Sequence, residues 1–322
     1  MKQSVMAGVT GHLIALLLLL PRLSVAQEVI RFMPQWTPQA QFAGYYVAME
    51  KGFYAEEGVL VIMDHFGGSS TGTAIEKIAH GKTDIITSQL VSAMIAREHG
   101  LRLVNVLQTS QVNGLMCVCR RPVDHPQALD SAKLGRWKVG FGEVCDIFCL
   151  KNGLHVDWIP FIQGINLFVA GAVDGVLCYS YNEYFQVVLA TGGIPKENIV
   201  RFRDYGLDYP EDGLYVTERY YKRHKDAVDK FVKASKRGWD YAREHPDEAL
   251  AISMRVIQDY NVVTNITLQK MMLEEILALQ VNPETGWADY APVRRPVFED
   301  MNASLREAGH LTTDIKYEDL IR

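Results

Sequence analysis

Short apolar runs alternate along the chain with segments whose apolar residues recur every three or four positions. Residues 29–33, 59–63, 84–86 and 101–107 read as strands. Between them, residues 41–51, 73–80 and 90–98 read as helices. Ala74, Ile75 and Ile78 share one face of the second, and Gly52, Gly81 and Gly100 stop the three in turn. This β-α-β-α order predicts a mostly parallel sheet with helices on its faces. The pattern then restarts: residues 137–141 and 175–178 read as strands, and 145–151, 162–170 and 183–190 as helices. From about residue 219 the chain reads as mostly helical. Val228, Phe231, Val232, Ser235, Trp239 and Ala242 form a packing stripe, and His245-Pro246-Asp247-Glu248 opens another helix with proline near its first turn and acids at its positive end.

The restart carries a weak internal repeat. Residues 75–85 resemble residues 165–176: in each a helix ends at glycine (Gly81, Gly171) and an aspartate (Asp84, Asp174) precedes a strand. No low-complexity linker divides the halves. The expectation is an α/β protein of two similar lobes, each a mostly parallel sheet flanked by helices, joined by two crossing strands. The crossings are placed near residues 115–120 and 214–216, giving one lobe of residues 27–118 plus 217–322 and a second of residues 119–216.

Residues 1–26 stand apart. Lys2, an apolar run over residues 13–20, a break at Pro21 and the small residues Ser24 and Ala26 make a secretory signal peptide, with cleavage after Ala26. The run is about half of the ~20 residues a membrane span needs, which argues against an anchor. Losing Lys2 and Arg22 leaves 31 basic against 38 acidic residues, a net charge of −7. With no basic run interleaved with aromatics, nucleic acid is not an expected partner. The 322-residue chain is 48% hydrophobic, enough for a large core, and a periplasmic monomer is expected. The five cysteines, Cys117, Cys119, Cys145, Cys149 and Cys178, match no zinc spacing and read as small buried hydrophobes. Neither a metal nor a cofactor is expected.

Catalytic motifs are missing. Gly81-Lys82-Thr83 imitates the end of a phosphate-binding loop, but Glu76 stands where its first glycine belongs, and the segment follows a helix instead of opening one. The sequence has no G-x-S-x-G, H-E-x-x-H or G-x-G-x-x-G. The loops after strands say more, because ligands of open α/β sheets sit at the carboxyl ends of strands. Residues 34–42 offer Trp36, Gln39 and Gln41 together with two prolines, Pro34 and Pro38, and Tyr45 on the following helix is counted with them. Gly67-Gly68-Ser69-Ser70-Thr71 offers hydroxyls and free N–H groups; Ser88 and Gln89 follow the third strand. In the second half come Glu143, and then Tyr181, Asn182 and Glu183. Each has a structural role open to it, Trp36 as core and Glu183 as a solvated acid. Together, aromatic faces, amides and one acid suit a flat heterocycle.

Two stretches carry a resemblance. Residues 36–48, Trp-Thr-Pro-Gln-Ala-Gln-Phe-Ala-Gly-Tyr-Tyr-Val-Ala, and residues 51–59, Lys-Gly-Phe-Tyr-Ala-Glu-Glu-Gly-Val, resemble the opening of the family of sulfonate-binding and thiamine-pyrimidine-precursor-binding proteins. The likeness covers most of residues 28–260. It implies a type II periplasmic-binding-protein fold and delivery of a small molecule to an ABC permease in the inner membrane. The Trp36-Thr37-Pro38 opening is similar to that of the thiamine-precursor and riboflavin branches and favours a pyrimidine or related flat heterocycle over a sulfonate. The family also holds an enzyme of thiamine biosynthesis, the fungal thiamine-pyrimidine synthase. Alignment through Gly81-Lys82-Thr83-Asp84 puts Ser88 and Ser92 where that enzyme has its lysine and histidine, and residues 207–211 read Leu-Asp-Tyr-Pro-Glu in place of its cysteine-rich motif. The resemblance therefore implies a binding protein without catalysis. The alternatives are a synthase-like enzyme and a ligand-sensing module serving a membrane partner.

Overall fold

The computed structural model describes residues 27–66, 72–138 and 140–322. The signal-peptide reading of residues 1–26, and Ser69 and Ser70 with their loop, lie outside the described residues. In chain order the strands are β1 (Glu28–Met33), β2 (Val59–Met63), β3 (Ile85–Gln89), β4 (Leu103–Gln108), β5 (Leu115–Cys119), β6 (Lys133–Trp137), β7 (Asp157–Phe161), β8 (Gly175–Tyr179), β9 (Ile199–Arg201) and β10 (Asp212–Thr217). The first four helices are α1 (Ala43–Glu50), α2 (Phe53–Glu56), α3 (Ala74–Ala79) and α4 (Leu90–Glu98). The second half holds α5 (Glu143–Asn152), α6 (Asn166–Val169) and α7 (Glu183–Thr191). The C-terminal part adds α8 (Glu218–Arg223), α9 (Lys225–Glu244), α10 (Pro246–Asp259), α11 (Ile266–Leu279), α12 (Arg295–Glu307) and α13 (Tyr317–Leu320).

Two five-stranded sheets result, in the orders β2-β1-β3-β10-β4 and β7-β6-β8-β5-β9. The orders are equivalent. In each, three strands run parallel, and the fourth is antiparallel to both of its neighbours. β3, β5 and β8 are buried along their whole length, which is why their sequences do not alternate. The glycine–aspartate repeat has a physical cause. Asp84 N donates to Arg31 O and its carboxylate accepts from Arg31 N at 2.9 Å; Asp174 N donates to Lys133 O and its carboxylate accepts from Lys133 N at 2.9 Å. In both lobes the aspartate completes the ladder where the parallel pair begins. The two-lobed α/β expectation therefore holds, with mixed sheets.

The crossings lie a few residues before the places expected. β5 belongs to the second sheet and β10 to the first, so the chain passes between sheets at residues 109–114 and 206–211. Those segments carry the Gly, Asn, Asp and Pro of irregular chain, whereas β5 and β10 are ordinary buried strands. The segments are laced together: Gly114 N donates to a Glu211 oxygen at 2.8 Å, Asn113 N to Asp208 at 2.7 Å, and Thr109 Oγ1 to Asp212 O at 2.7 Å. Two further expectations are corrected. The strand placed at residues 137–141 is β6, ending at Trp137, and residues 157–161 form a strand, β7, that the pattern hid. Pro160 masks it, and β7 can hold a proline because it is a sheet edge. Residues 162–170 are helical only at α6.

The stripe on α9 packs as read. Val228, Phe231, Ser235, Trp239 and Ala242 are buried, and the helix lies close on α1. A Cβ on Gly44 would stand 2.1 Å from the Trp239 ring, and one on Gly238 2.0 Å from Gly44 O. Glycine at both positions is what lets the helices meet, and this contact seats the segment that precedes α1. All five cysteines are free thiols on β5, β8 and α5. Among the described residues no group of three or more His, Cys, Asp or Glu side chains could hold a metal, and no helix is long and apolar enough to cross a membrane.

Candidate ligand site

The carboxyl ends of β1 and β3 face those of β6 and β8 across the cleft. From the first lobe comes the segment after β1. Thr87 Oγ1 accepts from Gln35 N at 2.8 Å and ties that segment to β3. Two of its three glutamines converge on one acid, and the third bonds one of those two. Asp212 accepts from Gln35 Nε2 at 2.8 Å and from Gln41 Nε2 at 2.6 Å, and Gln41 Oε1 accepts from Gln39 Nε2 at 2.5 Å. Burial pushes the Asp212 carboxyl up to about 6 despite these donors. His65 holds Trp36 from behind. Its Nδ1–H donates to Trp36 O at 2.9 Å and its Nε2 accepts from the Tyr46 hydroxyl at 3.1 Å. Burial lowers its pKa to about 4, so the ring stays neutral.

The second lobe supplies rings. Trp137 lies 5.3 Å from Tyr179 and 5.7 Å from Phe141, and Tyr179 stacks on Tyr181 at 5.2 Å. Phe141 meets Trp36 edge-on at 6.0 Å across the cleft, and Trp36 stacks on Phe66 at 5.7 Å. Phe141 is held at φ +62°, a left-handed conformation that a bulky residue adopts only under constraint from its surroundings. Glu183, at the start of α7, accepts from Tyr179 N at 3.1 Å and Asn182 Nδ2 at 3.0 Å. Its burial raises its carboxyl to about 7. Among the described residues, two hydrogen bonds bridge the lobes at the pocket: Gln41 Nε2 to the Tyr181 hydroxyl at 3.3 Å and Gln89 Nε2 to the Tyr179 hydroxyl at 2.5 Å.

Of the residues expected at the site, Trp36, Gln39, Gln41, Tyr181, Asn182 and Glu183 line one pocket of about 30 Å³. A cleft of about 970 Å³ shares Trp36, Gln39, Asn182 and Glu183 with it and reaches α11 and residues 163–166. Gln89 and Glu143 line a small space behind Tyr179, beside Glu211, one of whose buried oxygens has no partner. Tyr45 and Ser88 are not brought to the pocket. Tyr45 packs edge-on between Phe32 and Trp239 in the core. Ser88 sits opposite Gly213, on the other face of β3 from Thr87 and Gln89, as strand alternation requires. Sequence reasoning passed over Asp212, Trp137 and Phe141, and did not count Gln35 and Tyr179, from the same strand-end loops, among the site residues. Asp212 had a signal: an acid directly before the apolar strand Gly213–Val216 needs a partner when buried.

The chain is similar to known proteins in sequence and in fold. Residues 39–249 match the family model described as NMT1/THI5 like. The formylaminopyrimidine-binding protein of Halalkalibacterium halodurans is 26% identical over 269 residues, 80% of this chain and 79% of that one. The riboflavin-binding protein RibY of Chloroflexus aurantiacus is 25% identical over 311 residues, 92% of this chain and 85% of that one. In structure, the periplasmic aliphatic sulphonate binding protein SsuA of Escherichia coli superposes with a TM-score of 0.65 at 12% identity, over 89% of this chain and 95% of that one, so the fold is that of periplasmic binding proteins. The matched family segment spans more than half of the sequence, from the glutamines of the first lobe through Glu183 to α10, and on that ground the chain belongs to the NMT1/THI5-like family.

Proposed function

We propose that this protein is the solute-binding component of an ABC importer. It captures a flat nitrogen heterocycle of the pyrimidine or riboflavin kind in the periplasm and hands it to a permease in the membrane. The observation that carries this reading is the division of the pocket. Trp36, Trp137, Phe141 and Tyr179 offer ring faces, while Gln39, Gln41 and the buried Glu183 offer amides and an acceptor for ring amino or N–H groups. The relatives named for formylaminopyrimidine and riboflavin support the same ligand class.

The pocket of about 30 Å³ is far below the ~300 Å³ at which ligand sites begin. We infer that a ligand comes in from the wide cleft and reaches the small pocket as the lobes part about residues 109–114 and 206–211, a hinge motion that breaks the Gln41–Tyr181 and Gln89–Tyr179 bonds. We infer no chemistry on the ligand: Ser88 and Ser92 stand where the resemblance expects a lysine and a histidine, and neither supplies an imine-forming amine.

Mass spectrometry of small molecules released from the purified, denatured protein, followed by calorimetric titration with formylaminopyrimidine and riboflavin, tests the reading. A flat heterocycle released unchanged, and saturable binding of one of the two, is expected. Release of a sulfonate, or binding of neither compound, would overturn it.

A further inference from the structure

A separate cavity of about 190 Å³ lies where the first crossing segment enters the second lobe. It shares Asn113 and Leu115 with the space beside Glu211 and no residue with the ligand pocket or the wide cleft. Its polar groups are unusual. Arg201, at the end of β9, and Arg203, just beyond it, both line the wall, and neither guanidinium takes part in an ion pair or hydrogen bond among the described residues. Ser180, 6% exposed, turns its Oγ toward Gly114, and that buried hydroxyl has no hydrogen-bond partner among the described residues. A buried hydroxyl left unpaired costs stability that a bound acceptor would return. Glu275 of α11 is the single acid on the wall, so the lining carries one surplus positive charge. Leu115, Met116 and Phe185 make up an apolar side.

We propose that this cavity is a second binding site, for a small organic carboxylate whose apolar body is about the size of one ring. Guanidinium groups recognise carboxylates through paired N–H donors, and two of them with the Ser180 hydroxyl supply more donors than a carboxylate has lone pairs. The net charge of the wall matches a monoanion. The volume, about that of six water molecules, admits a ring with its carboxylate and little more. The site does not depend on the nature of the ligand in the cleft.

The test uses the full mature chain and 4-fluorobenzoate, observed by fluorine NMR, with 4-fluorobenzamide as the uncharged counterpart. Saturable binding with a Kd of about 1 mM or tighter is expected. The amide should bind at least about tenfold more weakly, and so should the acid to the double variant Arg201→Gln/Arg203→Gln. Ser180→Ala should weaken the acid by a smaller factor, about threefold. Trp36→Ala should leave it unchanged. No saturable binding, equal binding of acid and amide, or undiminished binding to the double arginine variant would each overturn the proposal. Loss of binding in Trp36→Ala would also overturn it, because the probe would then be in the cleft.

Discussion

The two lobes share one strand order but offer the cleft different chemistry. The first presents amides already committed to one another: Gln35 and Gln41 converge on Asp212, and Gln39 on Gln41. The second presents the faces of Trp137, Phe141 and Tyr179, with the single acid Glu183 at the start of α7. A polar array that is internally satisfied keeps its geometry while the cleft is open to water, at no cost in unpaired groups. An aromatic wall needs no partner and adapts by small ring movements. The difference teaches that equivalent sheets can divide recognition, one lobe fixing orientation and the other supplying contact area.

The comparison breaks most completely if the seat of the first lobe is lost. Gly44→Ala puts a methyl group 2.1 Å from the Trp239 ring, which neither a buried indole nor α9 can avoid. A loss of about 3 kcal/mol in urea unfolding is expected, at the upper end for an overpacked core. Heterocycle binding should fall with it, because α1 carries the glutamine segment. Gly142→Ala, at a negative φ and with no atom closer than 3.5 Å to the added methyl group, serves as a control of much smaller effect.

Glu183→Gln tests the acid of the second lobe. If it accepts from ligand N–H groups through a buried charge-assisted bond, its loss costs about 1.5–3 kcal/mol, or about 10- to 100-fold in affinity. The pH dependence gives an independent sign. Burial raises this carboxyl from 4.5 to about 7, so its contribution to stability is present at low pH and is lost as pH rises through 7. Ligand affinity should run the opposite way, since the ionised form is the acceptor: about tenfold weaker at pH 6 than at pH 8. Calorimetry at both pH values should show this slope in the wild type and a much shallower one in the variant, the remainder coming from Asp212, whose carboxyl burial raises to about 6. Equal affinity for wild type and variant would remove Glu183 from the ligand contacts.

Trp36→Ala should have the smallest effect, about tenfold in affinity through lost stacking, with little change in melting temperature because the indole is only half-buried. A loss of binding that merely follows a loss of stability would assign Trp36 to the core.

Much of this was legible beforehand. The β-α order, its restart and the glycine–aspartate repeat predict two similar lobes, and the places of Trp36, Gln41 and Glu183 after strands predict their meeting, which the shared pocket lining matches in position. What escaped did so for physical reasons. β5 and β10 are buried on both faces and read as continuous apolar runs, which drew the expected crossings onto them, while the polar Asn113, Asp208 and Glu211 that mark the change of sheet lie just before them. Pro160 disguised an edge strand. Ser88 and Gln89 are neighbours in sequence, yet alternation sends them to opposite faces, and the boundary of β3 had to be known to tell which. Tyr45 followed the family opening into a helix whose inner face is core.

The exchanged fourth strands also set an order of assembly. Residues 115–201 contain every strand of the second sheet, so that lobe can complete itself from one continuous piece of chain. The first sheet cannot: β4 ends at Gln108 and its neighbour β10 begins at Asp212, so the gap between them must be filled before the ladder closes. Closing so long a loop is slow, and until it happens β3 and β4 each have an open edge. The inner lobe, once folded, shortens that loop by holding its two ends together. Folding should therefore proceed from the inside outward, with the amide-bearing half of the pocket the last to form.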